Sequence, residues 1–163
     1  MLKLIRPLTK FKSSYLLAMA SVIIALPVAA QKANFESVSL APGFASSAGR
    51  VTGYTGGSYS LSTISNRDRN NNPCIGFGDT NPDHIIKLEK DFTSLKVQVD
   101  SGGNDTTLVI QGPKDNIVAC GDDSGNSKDA SVEGTKWQSG TYRVWVGTIN
   151  GGEKHKYTLS VTE

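Results

Sequence analysis

An all-β fold, an antiparallel β-sandwich or jelly roll, is what this sequence predicts, and three observations lead there. Apolar residues alternate with polar ones at a period of two, as Leu95, Val97 and Val99 do against Lys96, Gln98 and Asp100. Turn signals recur between such stretches: Ser101-Gly102-Gly103-Asn104, Gly112-Pro113-Lys114-Asp115-Asn116 and Asn150-Gly151-Gly152. No stretch beyond residue 30 carries a convincing helical period.

The first thirty residues read as an export signal. Lys3, Arg6, Lys10 and Lys12 form a positive start without acids. An apolar run follows from Leu16 to Leu26, Pro27 breaks it, and Val28-Ala29-Ala30 places small residues where a signal peptidase reads. The run is shorter than the roughly 20 residues a bilayer span needs. The expectation is a secreted or periplasmic protein cleaved near Ala30, with no stable membrane insertion. Cleavage takes Lys plus Arg from 17 to 13 and leaves Asp plus Glu at 15, so the net charge moves from +2 to −2. The mature chain shows no basic cluster to neutralise phosphates, which argues against a nucleic-acid partner.

Composition divides the rest. Residues 31–72 form a Gly- and Asn-rich segment, with a hairpin expected around Gly56-Gly57 because Tyr54, Tyr59, Leu61 and Ile64 flank that turn signal. The run Asn66-Arg67-Asp68-Arg69-Asn70-Asn71-Asn72 reads as an exposed loop. Residues 73–163 are expected to make the sandwich. Thr106 to Ile110 is β-branched and apolar on both faces, as in a central strand. Tyr142, Val144 and Val146 alternate with Arg143 and Trp145, and Tyr157, Leu159 and Val161 alternate with Thr158, Ser160 and Thr162. The two cysteines, Cys74 and Cys120, read in an exported chain as one disulfide, the alternative being two buried thiols. That bond closes a loop of about 45 residues and stabilises by roughly 4 kcal/mol in the chain-entropy model.

Four motifs carry a family likeness: Asn104-Asp105-Thr106-Thr107-Leu108-Val109-Ile110, Cys120-Gly121-Asp122-Asp123, Ser139-Gly140-Thr141-Tyr142-Arg143-Val144-Trp145-Val146-Gly147, and Tyr157-Thr158-Leu159-Ser160-Val161. In this order they resemble the bacterial pre-peptidase C-terminal domain over about residues 80 to 163. The resemblance implies a β-sandwich that accompanies secreted hydrolases. Related collagenase domains bind substrate fibres, some with calcium. No protease domain precedes the module here, so the expectation is a stand-alone member of cyanobacterial type, without protease activity.

The loops carry the candidate chemistry. Asp122, Asp123, Asn126 and Asp129 offer hard oxygens within eight residues, and Asp105 lies on a turn that can approach them, which makes calcium the expected ion if one binds. Gly121-Asp122-Asp123-Ser124-Gly125-Asn126 superficially resembles a serine-protease motif, but no His is placed to serve Ser124 as base. His84 with Cys74 and Cys120 matches no zinc spacing. Trp145, placed by alternation on the outer face of its strand, joins Tyr54, Tyr59 and Trp137 as a candidate carbohydrate-stacking face, the alternative being that Trp145 packs under a loop or on the second sheet. The functional expectation is a non-enzymatic binding or accessory module for an extracellular or cell-surface polymer, or for an exported protein. The alternatives are a structural or folding-assistance module of secreted hydrolases and, least favoured, a small hydrolase.

Overall fold

Strand β6 (Phe92–Asp100) buries Phe92, Leu95, Val97 and Val99 and leaves Thr93, Ser94 and Asp100 exposed, the one-sided burial that its alternation requires. It lies within residues 32–163, which the computed structural model describes; the leader and its cleavage near Ala30 lie outside the described residues. The other described strands are β1 (Val38–Leu40), β2 (Arg50–Tyr54), β3 (Tyr59–Ser60), β4 (Phe77–Gly78), β5 (His84–Leu88), β7 (Thr106–Gln111), β8 (Val118–Gly121), β9 (Ser131–Trp137), β10 (Gly140–Thr148) and β11 (Lys156–Thr162).

These strands form a β-sandwich of two sheets. One is antiparallel and four-stranded, in the order β2-β11-β6-β9. The other has seven strands and is organised on β10. One edge of β10 is taken by β5 and then by β4, while β7, itself paired with β8, takes the other. β3 continues from β4, and β1 closes the far side by pairing with β5 in parallel, Val38 opposite Ile86. That parallel pair is the one departure from a wholly antiparallel arrangement among the described strands.

The main core lies between the sheets. Leu95, Val97, Val99, Leu159 and Val161 meet Ile86, Leu108, Ile110, Val144 and Val146 there, all 3% exposed or less. Each side chain so buried contributes roughly 1.5–3 kcal/mol of transfer free energy. β7 is buried from Thr106 to Ile110, as a strand with sheet neighbours on both sides and a covered outer face must be.

Two expectations about residues 31–72 are corrected. The sandwich does not begin at residue 73, because β1, β2 and β3 are built into both sheets. The hairpin around Gly56-Gly57 does not form either: β2 pairs with β11, and β3 pairs with β4. The physical reason lies in the β2 side chains. Val51 and Gly53 face inward, and Gly53 sits opposite Tyr157, where a Cβ would run into the Tyr157 ring and Phe35. The Gly- and Asn-rich segment supplies an edge strand whose missing side chain admits a large aromatic one.

Residues 61–74 then cover the outer face of the larger sheet as a third layer. Leu61 and Cys74 cover Val109, Val118, Cys120 and Trp145, with Tyr59 and Ile64 packed alongside. Cys74 and Cys120 are joined as a disulfide, with Cα atoms 5.2 Å apart. The Asn/Arg loop is ordered around Asp68, which is buried rather than exposed. Its carboxylate accepts from the backbone N–H groups of Asn70 (2.8 Å), Asn72 (2.9 Å) and Cys120 (3.2 Å). Burial pulls Asp68 up, but these bonds and one from the Asn72 side chain outweigh it and hold the group below the ordinary carboxylate range.

Candidate functional site

The end of the sandwich where β2 runs out carries an open groove. Thr55 ties the loop after β2 to the turn before β11: its N–H donates to His155 O (2.9 Å), its hydroxyl donates to Glu153 O (2.9 Å), and His155 N–H donates to that hydroxyl (2.9 Å). Gly152 N–H adds a bond to Gly57 O at 2.7 Å. Gly57 has φ +92, and a Cβ there would overlap the Gly78 backbone, so this close approach needs glycine. On the opposite wall, Asn34 N–H donates to Pro82 O and Phe35 N–H to Asp83 O, both at 2.9 Å.

Between these walls lies an open groove of about 420 Å³, lined by Tyr54, Phe35, Asn34, Asp79, Asp83 and Lys154. Tyr54 is the one large apolar side chain left exposed among the described residues, at 47%, and Lys154 Nζ stands 5.4 Å from its ring centroid. Asp83 is buried, and its Oδ2 accepts from Val146 N–H at 2.8 Å. Burial pushes Asp83 up to about 7; the neighbouring Asp79 charge adds to the rise, while bonds from Val146 and the Asn34 side chain oppose it. The groove thus combines aromatic rings, carboxylate and amide acceptors and one cation.

Next along β5, His84 is fully buried, with Nδ1 2.6 Å from Glu36 O and Nε2 2.9 Å from the Tyr157 hydroxyl. Burial holds it below the ordinary imidazole range, against the pull of Glu36. Both ring nitrogens are engaged and both cysteines are bonded to each other, so these three residues make no zinc set. Ser124 Oγ donates to Asp129 O at 2.8 Å.

The acidic loop is gathered only in part. Asp105, Asp122 and Asp123 each bring a carboxylate oxygen within 4.8 Å of the others. Asp122 Oδ1 is buried without a hydrogen-bond partner, and burial, then the charges of Asp123 and Asp105, raise that group. Lys128 Nζ reaches Asp105 Oδ2 at 3.2 Å. Asp129 departs from the expected ligand set. It turns to Ser101, accepting from its N–H (2.8 Å) and its hydroxyl, and to the Ser127 hydroxyl (3.2 Å). Burial pulls Asp129 up, and these bonds outweigh it. Asn126 is exposed in the two-residue turn closed by Ser124 and Ser127.

The expected stacking face is corrected. Trp145 does lie on the outer face of its strand, but the third layer covers it to 4% exposure, and Tyr59 packs against the same cluster. Trp137 is also buried, at 7%. Of the four aromatic residues only Tyr54 offers an open ring. Asp79, Asp83, Asn34, Phe35 and Lys154 were not legible as its neighbours. A polar pair, Asp83-His84, at the head of the apolar strand Ile85–Leu88 was the available signal.

No family model and no curated protein matches this chain. Among solved structures it is similar to the pre-peptidase C-terminal domain of a Bacillus anthracis collagenase, at 14% identity and TM-score 0.46, covering 80% of this chain and 99% of that one. It is similar at 11% identity and TM-score 0.46 to CorA, a surface-associated copper-binding protein of Methylomicrobium album BG8, over 78% of this chain and 98% of that one. A third similarity, at 15% identity and TM-score 0.35, is to PliG of Aeromonas hydrophila, a periplasmic inhibitor of g-type lysozyme, over 78% and 96% of the two chains. Among the described residues no helix is long and apolar enough to cross a membrane.

Proposed function

We propose that this protein is a non-catalytic, exported binding module whose ligand, a hydroxyl-rich extracellular or cell-surface polymer, seats in the groove beside Tyr54. The observation that carries this reading is the exposed Tyr54 ring standing over a groove that also holds Asp79, Asp83 and Asn34. A sugar ring presents a C–H face that stacks on an aromatic ring and hydroxyls that donate to carboxylate and amide oxygens, and these groups supply both partners. The disulfide supports an oxidising compartment. The leader belongs to the same proposal, and mass spectrometry of the exported protein is expected to place its N-terminus at Gln31.

The test is a pull-down of purified protein on insoluble polysaccharides and cell-wall material. Retention is expected on at least one polymer and is expected to fall about tenfold or more for Tyr54→Ala, in line with loss of an anchoring aromatic. Retention that ignores Tyr54→Ala would overturn the groove assignment. If an exported protein is captured instead, at a surface that Tyr54→Ala leaves intact, the polymer reading fails with it.

A second reading concerns the acidic loop, and the observation favouring it is the orphaned Asp122 Oδ1 beside two further carboxylates. Calcium is the ion proposed, at a weak extracellular-type site that tolerates irregular oxygen geometry better than magnesium does. Binding only to the folded state raises the melting midpoint, by the equivalent of roughly 2.7 kcal/mol at about 100 times the dissociation constant. A midpoint unchanged between chelator and calcium at constant ionic strength, in wild type and in Asp122→Asn/Asp123→Asn alike, removes the ion.

A further inference from the structure

A second pocket, which shares no lining residue with the Tyr54 groove, opens beside Trp137. It measures about 100 Å³. Ile110 and Tyr142 of the larger sheet, Ala119 and the loop residue Ile117 line it together with Trp137 of β9. The two aromatic rings lie 5.3 Å apart between centroids. Their polar atoms are already committed, Trp137 Nε1 to Gly134 O (3.0 Å) and the Tyr142 hydroxyl to Gln138 O (2.8 Å), so they present carbon surface to the pocket.

Two cations also line it, Arg69 and Lys136, both exposed. Neither makes an ion pair among the described residues. The Arg69 charge is close enough to oppose the burial-driven rise of the Tyr142 phenol. Asp91, in an adjoining depression, has its carboxylate on Ser139 N–H at 2.7 Å.

The backbone at Lys136 is the independent observation. Consecutive residues of a strand point to opposite faces, yet Lys136 and Trp137 line the same pocket. Lys136, which also lines the adjoining depression with Asp91, has φ +58, a left-handed conformation that costs a non-glycine residue on the order of 1 kcal/mol or more. Strain at a residue that lines a pocket motivates a hypothesis of function for its side chain there.

We infer that this pocket binds a carboxylate carried on a small branched apolar body, with Arg69 and Lys136 holding the anion and Trp137, Tyr142 and Ile110 enclosing the alkyl group. An apolar cavity of about 150 Å³ takes a benzene ring, so one of this size suits a branched group of about four carbons. Two sources present that chemistry: a free branched-chain carboxylate, and the C-terminus of a peptide ending in leucine or valine.

The experiment follows the Trp137 indole N–H by heteronuclear NMR during titration of the full protein. The probes are isovalerate, its neutral amide isovaleramide, a hexapeptide ending in leucine with a free carboxylate, and the same peptide amidated. Saturable shifts in the millimolar range or tighter are expected for at least one carboxylate. The matching amide is expected to bind about tenfold more weakly or worse, because a charge-assisted hydrogen bond is lost. The carboxylate that saturates identifies the source. Lys136→Gly, which relieves the backbone, and Arg69→Gln, at an exposed and unpaired side chain, are both expected to fold and to weaken carboxylate binding by a similar factor. The inference is overturned if neither carboxylate saturates, if the amides bind equally well, or if both variants bind as wild type does. A Tyr54→Ala protein is expected to titrate unchanged, which separates this site from the polymer groove.

Discussion

His84 on β5 and Tyr157 on β11 meet across the interior of the sandwich, with Nε2 2.9 Å from the phenol oxygen, and so join the two sheets by a side-chain hydrogen bond. The other ring nitrogen, Nδ1, faces the Glu36 carbonyl oxygen at 2.6 Å, and a carbonyl only accepts. Nδ1 therefore carries the proton, Nε2 offers its lone pair, and Tyr157 donates.

Removing that donor leaves Nε2 buried and unpaired. Tyr157→Phe keeps the ring and is expected to lower stability by about 1–3 kcal/mol, the desolvation penalty of one orphaned polar group. Urea denaturation checks it, and equal midpoints in the two proteins would mean that the bond contributes nothing.

Asp83 and His84 are neighbours with opposite pH behaviour. The folded Asp83 pKa, about 7, lies above its unfolded value, so its contribution is complete below about pH 4 and is lost as pH rises through about 7. The folded His84 pKa lies below its unfolded value, so its contribution is complete above about pH 6.5 and is lost as pH falls. In the wild type the two trends oppose each other. Asp83→Asn removes the first, so its stability is expected to climb relative to wild type between about pH 4 and 7, by on the order of 4 kcal/mol for a shift of about three units. Denaturation midpoints across that range test it; parallel profiles for the two proteins would place Asp83 at its ordinary pKa.

The strand phase of the core was legible because it depends on a local alternation that one face of water enforces: Leu95, Val97 and Val99 were assigned inward and lie there. The roles of β1 and β2 were not legible. Their partners, β5 and β11, are set by long-range pairing, and a glycine such as Gly53 carries no apolar signal although its position is dictated by Tyr157. Trp145 left two readings open for a related reason. Alternation gives the face of a strand but is silent about what a distant segment lays over it. The Tyr54 groove was half legible, since the exposed ring was picked out, whereas Asp79, Asp83 and Asn34 reach it from other parts of the chain.

Leu108 sits on β7 opposite Val146 with no exposure. Leu108→Ala is expected to cost roughly 2–5 kcal/mol through lost transfer energy and the cavity left behind. Lys96→Ala, on the wetter face of β6, is expected to cost under about 0.5 kcal/mol. Chemical denaturation of both variants gives the comparison, and equal losses would contradict the burial of Leu108.

Reduction of Cys74–Cys120 is expected to lower stability by roughly 4 kcal/mol, the chain-entropy value for a loop of about 45 residues. Trp145 is expected to report it by a red shift in fluorescence as the covering layer loosens. A reduced protein that keeps its melting point and its emission would show that packing alone holds the layer.

The stapled third layer also makes the address of the protein part of its folding code. A copy retained where thiols stay reduced lacks the bond that ties residues 61–74 to the sheet, and it is expected to expose more of Trp145, Val109 and Val118. Sticky surfaces of that kind are what chaperones and proteases recognise. A molecule that reaches an oxidising compartment is therefore expected to close a surface that a reduced copy leaves open.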